Sequence, residues 1–244
     1  MLARLGVLYV AKRSPNGVLF VCGTLLAMKI QIITLFPEVI EPYLNTSMLW
    51  KAQDRGLVAY DLINLREFGL GSRRQVDDTP YGGGDGMLLK PEPVVAAIEL
   101  AKSKSPKARV ILPTPRGRLY KQSDAKKLAA SAEDLIIVCP HYEGYDERIT
   151  NWVDEQYCIG NYVLTGGELP AMVMVDSVVR LLPGVLGGKA SVEIESFQSD
   201  DQFVEFPQYT RPEDFRGLKV PEVLLKGHHG EVDKWREIHS QKSA

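Results

Sequence analysis

From Met28 onward, short β-branched runs alternate with helix-like stretches, and this alternation constrains the fold more tightly than any other feature of the chain. Lys29 to Leu35 has a strand pattern, and Pro37 to about Asp54 then predicts a helix stopped by Gly56. Val58 to Leu65 is again strand-like, Pro91 to Lys102 helical, Arg109 to Leu112 a strand and Ser123 to Ala132 helical. Leu135 to Cys139 is an apolar strand, followed by helical patterns over Glu143 to Val153 and Pro170 to Leu182. Strands separated by helices imply an α/β fold with a mostly parallel sheet covered on both faces. In such sheets ligands sit beyond the carboxyl ends of the strands. PTPRG from Pro113 and CPHYEG from Cys139 both directly follow strands, so two loops converge on one rim.

A third segment, Cys158 to Gly187, has the character of a pocket loop. Gly160, Gly166 and Gly167 permit close backbone approach, so Ile159 to Leu164 can present bare N–H and C=O groups to a ligand. Pro170 fits a first helical turn and Gly184 the stop after it. Ala171, Met172, Val175, Val178, Val179 and Leu182 form the apolar stripe between them, with Asp176 and Arg180 one turn apart on the polar side. The same residues are compatible with an ordinary loop and helix in which Asp176 and Arg180 form an ion pair worth only ~0.3–0.5 kcal/mol.

Several function classes are excluded or disfavoured. No G-x-G-x-x-G follows a strand and no G-x-x-x-x-G-K-[ST] exists, which removes a dinucleotide dehydrogenase and a P-loop phosphotransferase. A net charge of −2 argues against a generally basic nucleic-acid binder. However, Lys102 to Lys127 holds nine Lys or Arg against the single Asp124, a run that suits either a solvated face or a phosphate track. Three cysteines without CxxC spacing point to a reduced compartment, and the four histidines lack metal-ligand spacing, so no structural metal is expected. Residues 1–27 stand apart: they are basic, contain VLFVCGTLLA, and precede any acidic residue. A signal peptide, an organelle transit segment and a translated upstream extension all remain open, with the last favoured.

Six ordered blocks resemble the bacterial tRNA (guanine-N1)-methyltransferases, a family of the SPOUT superfamily. They are MKIQIITLFPEV from Met28, VDDTPYGGGDGM from Val76, PTPRG, CPHYEGYDERI, the Cys158 segment, and PQYTRPEDFRGLKVPEVLLKGHH from Pro207 with Lys234-Trp235-Arg236. The resemblance implies a trefoil-knotted sheet over 28–186, a flexible linker over 187–206 and a small helical C-terminal RNA-binding domain over 207–244. It further implies a cytoplasmic homodimer that acts on the anticodon stem-loop of tRNA with S-adenosylmethionine, with Mg²⁺ a candidate assistant, and with no membrane association.

Carried over by position, the cofactor-binding residues are Pro115, Gly117, Pro140, Tyr142, Glu143, Gly144, Ile159, Gly160, Asn161, Tyr162, Val163, Leu164, Gly166, Gly167 and Pro170. In the same way the resemblance makes Glu195 the general base, Arg180 the charge stabiliser, and Asp77, Asp78 and Tyr81 RNA contacts. Glu195 stands where the family has aspartate, Pro140 where it has glycine and Asn161 where it has aspartate. A second class therefore stays open at this level: a homologue that binds tRNA or S-adenosylmethionine without efficient turnover. The glycine cluster from Gly82 to Gly86 likewise suits either a plain surface turn or part of the RNA surface.

Overall fold

The computed structural model describes residues 8–13, 19–24, 27–131, 133–186, 195–197 and 203–242. Contacts divide the chain into two compact units, one ending at Leu186 and one made of the residues after it together with 121–123. Within residues 1–27, β1 (Leu8–Arg13) and β2 (Leu19–Thr24) form an antiparallel hairpin with Leu8 opposite Thr24.

The first unit is organised by a parallel sheet of β3 (Met28–Thr34), β4 (Val58–Asn64), β7 (Arg109–Leu119), β8 (Leu135–Val138) and β9 (Glu155–Cys158). Their order is β4-β3-β8-β7-β9. Two-residue strands β5 (Asp77–Asp78) and β6 (Leu88–Leu89) pair separately. The alternation of side chains along a strand sorts the β-branched runs onto two faces. Ile30, Ile32 and Ile111 enter one hydrophobic cluster, and Ile33, Leu35, Val110 and Leu112 enter the other. The first face is covered by α1 (Pro37–Leu44), α2 (Ser47–Asp54) and α5 (Glu168–Val179), which contribute Ile40, Leu49 and Val175 among others. α3 (Pro91–Lys104) covers the second face with Val94, Ala97, Ile98 and Ala101. Each fully buried Val or Ile here is worth ~1.5–3 kcal/mol. α4 (Gln122–Ser131) adds Ala125 and Leu128 to the first cluster.

Three local expectations are corrected. The single helix over 37–54 is two helices: Pro42 lies inside α1, Thr46 Oγ1 donates to the Pro42 carbonyl at 2.6 Å, and Ser47 at φ 50 reopens the chain. The strand at Arg109 does not stop at Leu112 but runs to Leu119, with a register shift against β9 between Pro113 and Arg118. PTPRG is therefore a bulge within a strand. The helix over 143–153 is replaced by a turn and a 3-10 helix, Glu147–Trp152. Tyr142 (φ 62) and Gly144 (φ 129) cannot belong to a right-handed helix, and Asp146 Oδ1 instead caps the short one by accepting from the Arg148 N–H at 2.9 Å. Arg118 ties the returning half of β7 to its neighbours, donating to Asp124 at 2.7 Å, to Glu155 at 3.1 Å and to the Tyr157 hydroxyl at 2.7 Å.

In the second unit, Phe203–Val204 pairs antiparallel with Gln241–Lys242, and Asp214–Phe215 with Leu218–Lys219 across a turn in which Arg216 and Gly217 both take positive φ. Helices Glu222–Leu225 and His229–His239 complete it. Trp235 stacks on His239 at 4.1 Å and meets Phe206 and Tyr209 edgewise. Most of the 187–206 linker lies outside the described residues, but Phe197 donates to the Phe203 carbonyl at 2.7 Å and Glu205 to Ser196 Oγ at 3.1 Å.

Candidate active site

Three segments meet where the bulge within β7 lies beside the carboxyl ends of β8 and β9. Gly167, at the start of α5, donates its N–H to the Pro140 carbonyl at 2.7 Å, and His141 forms isolated bridges with both Gly166 and Gly144. The segment after β9 folds on itself, with the Tyr162 N–H donating to the Gly160 carbonyl at 2.9 Å and Cys158 Sγ lying 3.0 Å from the same oxygen. With the β7 bulge as a third wall, these segments enclose a cavity of about 570 Å³.

Thirteen of the fifteen cofactor-site residues expected from sequence line this cavity: Pro115, Pro140, Tyr142, Glu143, Gly144, Ile159, Gly160, Tyr162, Val163, Leu164, Gly166, Gly167 and Pro170. Gly117 and Asn161 do not. Gly117 is instead a packing residue, since a Cβ there would overlap the backbone of Gln156 and Tyr157 on β9, and Asn161 is exposed on the turn. Sequence reasoning missed Thr114, Arg116, His141, Tyr145, Glu147, Tyr157 and Leu88, which also face the cavity. His141 and Thr114 sit inside blocks already singled out. Leu88 is brought in by main-chain pairing of Met87 and Leu89 with the 143–146 segment, and no local pattern signals that pairing.

Burial holds several ionisable groups on and behind the cavity wall above their ordinary values. Burial first, then the negative charge of Asp77, raises the Tyr142 phenol, with Arg66 opposing. Tyr157 is raised further, by burial and by its hydrogen bond to Glu155, and burial pushes Tyr120 up to about 12. Burial and then Glu168 hold the Cys139 thiol well above its usual range. On the rim, Arg116 pairs with Glu147 at 2.8 Å.

Arg180 is the C-cap residue of α5, half-buried, with its N–H donating to the Asp176 carbonyl at 3.2 Å. Glu195 belongs to the second unit, half-buried in the turn before Phe197. Asp78 accepts from the Thr79 N–H at 2.9 Å and pairs with Lys90 at 3.4 Å, and these contacts lower its carboxyl below the usual range. Tyr81 is fully exposed at the tip of the glycine loop. In the basic run, Lys102, Lys104, Arg109, Arg116 and Arg118 are each engaged by carboxylates, so much of its charge is compensated and the phosphate-track reading loses support. Among the described residues, no cluster of three or more His, Cys, Asp or Glu could hold a metal ion, and no helix is long and apolar enough to cross a membrane.

Comparison with known proteins places this geometry. A family model described as tRNA (Guanine-1)-methyltransferase TrmD matches residues 28–244. The chain belongs to this family of enzymes. A tRNA (guanine-N(1)-)-methyltransferase of Halalkalibacterium halodurans is 52% identical over 217 residues, which cover 88% of this chain and 87% of that one. One from Geobacter sulfurreducens is 52% identical over 210 residues, 86% of this chain and 84% of the relative. The crystal structure of tRNA (m1G37) methyltransferase from Aquifex aeolicus superposes with a TM-score of 0.73 at 37% identity, covering 87% of this chain and 89% of that chain. The α/β fold is accordingly that of the family, and the expected knot rests on this likeness.

Proposed function

We propose that this chain transfers a methyl group from S-adenosylmethionine to N1 of the guanine immediately 3′ of the anticodon in tRNA. The observation that carries the reading is the cavity at the carboxyl rim. Its volume of about 570 Å³ suits a nucleoside-bearing ligand. Added Cβ atoms at Gly160, Gly166 and Gly167 would overlap neighbouring protein groups, so glycine keeps these cavity-lining segments closely packed. Such a wall fits the cofactor: backbone groups of Ile159, Tyr162 and Leu164 can read a purine edge, and the Glu143 carboxylate can receive an ammonium group. When bound, S-adenosylmethionine supplies an activated methyl group.

The residues of the chain must then manage a proton and a charge. Guanine N1 carries a proton, which Glu195 accepts, and Arg180 steadies the negative charge that grows on O6. Asp77 and Asp78 offer acceptors to base edges, and exposed Tyr81 offers a stacking surface. Val39 and Tyr43 on α1, and Leu169 and Val173 on α5, are exposed apolar side chains on two helices that pack together, a surface suited to homodimerisation. The residues after 206 act in RNA binding, in keeping with a cytoplasmic enzyme. Any Mg²⁺ would assist with water or RNA oxygens completing its shell.

The deciding assay combines labelled S-adenosylmethionine with anticodon stem-loops carrying guanine or adenine at the target position, with and without Mg²⁺. Methyl incorporation is expected only into the guanine RNA. Glu195→Gln should lower kcat by ~10²–10⁴ while leaving cofactor affinity nearly unchanged. Tight RNA binding without incorporation would overturn the reading. Full activity of Glu195→Gln would remove Glu195 from the mechanism.

A further inference from the structure

Two carboxylate side chains are buried among the described residues, and they are handled differently. Asp124 is paired with Arg118 at 2.7 Å. Glu168, 7% exposed, has no Lys or Arg beside it. Its Oε1 accepts from Thr34 Oγ1 at 2.8 Å, while its Oε2 lies 3.8 Å from His141 Nδ1, beyond hydrogen-bond range. That imidazole nitrogen is itself buried and without a hydrogen-bond partner among the described residues. As the first residue of α5, Glu168 gains from the positive end of the helix, but a buried carboxylate with no Lys or Arg beside it among the described residues still carries a large desolvation cost.

The location of this charge gives it a use. A Cβ added to Gly166 would overlap Glu168 Oε2 and come within 2.6 Å of His141 Nδ1, and both Gly166 and His141 line the cavity. The carboxylate therefore lies directly behind the cavity wall, screened from it by a residue with no side chain.

We propose that Glu168 is a specificity-determining residue whose buried negative charge makes the cavity favour the sulfonium methyl donor over the neutral thioether left after transfer. The inference rests on the reading that the cavity holds S-adenosylmethionine. In the transfer, the methyl–sulfur bond breaks as the N1–methyl bond forms, the N1 proton passes to Glu195, and the sulfur keeps its electron pair and becomes neutral. Glu143 does not discriminate, because donor and product carry the same amino-acid end. Loss of the sulfonium charge thus weakens the hold of the cavity at the moment the product must leave.

The test is calorimetric titration of the full-length wild type and Glu168→Gln with S-adenosylmethionine and with S-adenosylhomocysteine. Glutamine keeps the shape and the oxygen that accepts from Thr34 but removes the charge. The ratio of the two dissociation constants should shift about three- to tenfold against the methionine form, a scale set by one charge acting across a protein wall at intermediate dielectric. The homocysteine form should bind both proteins within about twofold. An unchanged ratio would overturn the proposal. Wild type that binds neither ligand would overturn the cofactor reading, and this inference with it. Should Glu168→Gln fail to fold, the wild type alone decides through sinefungin, which carries an amine cation in place of the sulfonium. It should bind more tightly than S-adenosylhomocysteine, and equal or weaker binding refutes the role of Glu168.

Discussion

Replacing Gly167 with alanine tests whether the two facing cavity segments are locked by contact. Gly167 has φ −84 and ψ −3, a conformation open to any residue, so the backbone entropy term alone would favour alanine by ~0.4–1 kcal/mol. Packing opposes it. The new Cβ would lie 2.5 Å from Pro140 Cδ, 2.7 Å from Cys139 Cα and 2.8 Å from Pro140 N, where ordinary carbon contacts need about 3.5–4.0 Å. The neighbours cannot retreat cheaply, because the Gly167 N–H donates to the Pro140 carbonyl at 2.7 Å and the Cys139 N–H to the Ile33 carbonyl at 2.9 Å. Overpacking at ~1–3 kcal/mol and a weakened hydrogen bond at ~0.5–1.5 kcal/mol outweigh the entropy gain, leaving a net loss of ~0.5–4 kcal/mol. At ~2–4 °C per kcal/mol for a domain of this size, the melting temperature should fall by ~1–16 °C. A wall displaced by about an ångström should also cost ~10²-fold in turnover. Gly160→Ala is the internal comparison. The three atoms nearest its Cβ would all belong to the ring of exposed Tyr162, which can swing away, so stability should hold while cofactor affinity falls. Thermal melts and calorimetry of both variants decide the matter. A Gly167→Ala protein with wild-type melting and affinity would refute the argument.

The Cys139 thiol, raised by burial and by Glu168, should resist iodoacetamide at pH 8.5 in the native protein and react once guanidinium unfolds it. The sign for stability follows: the folded thiol stays neutral where the unfolded one ionises, so this contribution is intact below about pH 8.5 and is lost as pH rises above it, visible in alkaline melts. A chain beginning at Met28 should match the full chain in melting temperature and turnover, since the family match starts there. Loss of folded protein on truncation would give the β1–β2 hairpin a structural role. Arg180→Lys keeps the charge but loses the planar fork and should severely lower kcat. Glu195→Asp, which restores the residue of the family, should hold or raise it, and a marked fall would show that the spacing here is tuned to glutamate.

The parts of the site that were legible in the sequence are those whose chemistry is local. Gly160, Gly166, Gly167 and Pro170 announce a main-chain wall and a helix start within a dozen residues, and all four line the cavity. The sheet was legible for the same reason, since the runs at Lys29, Val58 and Leu135 carry their own β-branched pattern. What stayed hidden depends on partners far along the chain. The PTPRG bulge exists because β7 shifts register against β9, and the expected helix gives way to a turn and a short 3-10 helix because Gly144 takes positive φ and Tyr145 bridges Leu89. Glu168 shows the limit most sharply. Within GGELP it is an ordinary acid in the first turn of a helix, where the helix dipole alone would explain it. Only the placement of β3 beneath α5 sets Thr34, 134 residues earlier, against its carboxylate, and only the bridge from His141 to Gly166 puts that carboxylate behind a ligand cavity. Its charge is then buried where solvation is lost, with no Lys or Arg beside it among the described residues and His141 Nδ1 3.8 Å away, and a cationic occupant of the cavity is the counterpart that the proposed role of Glu168 assigns to it.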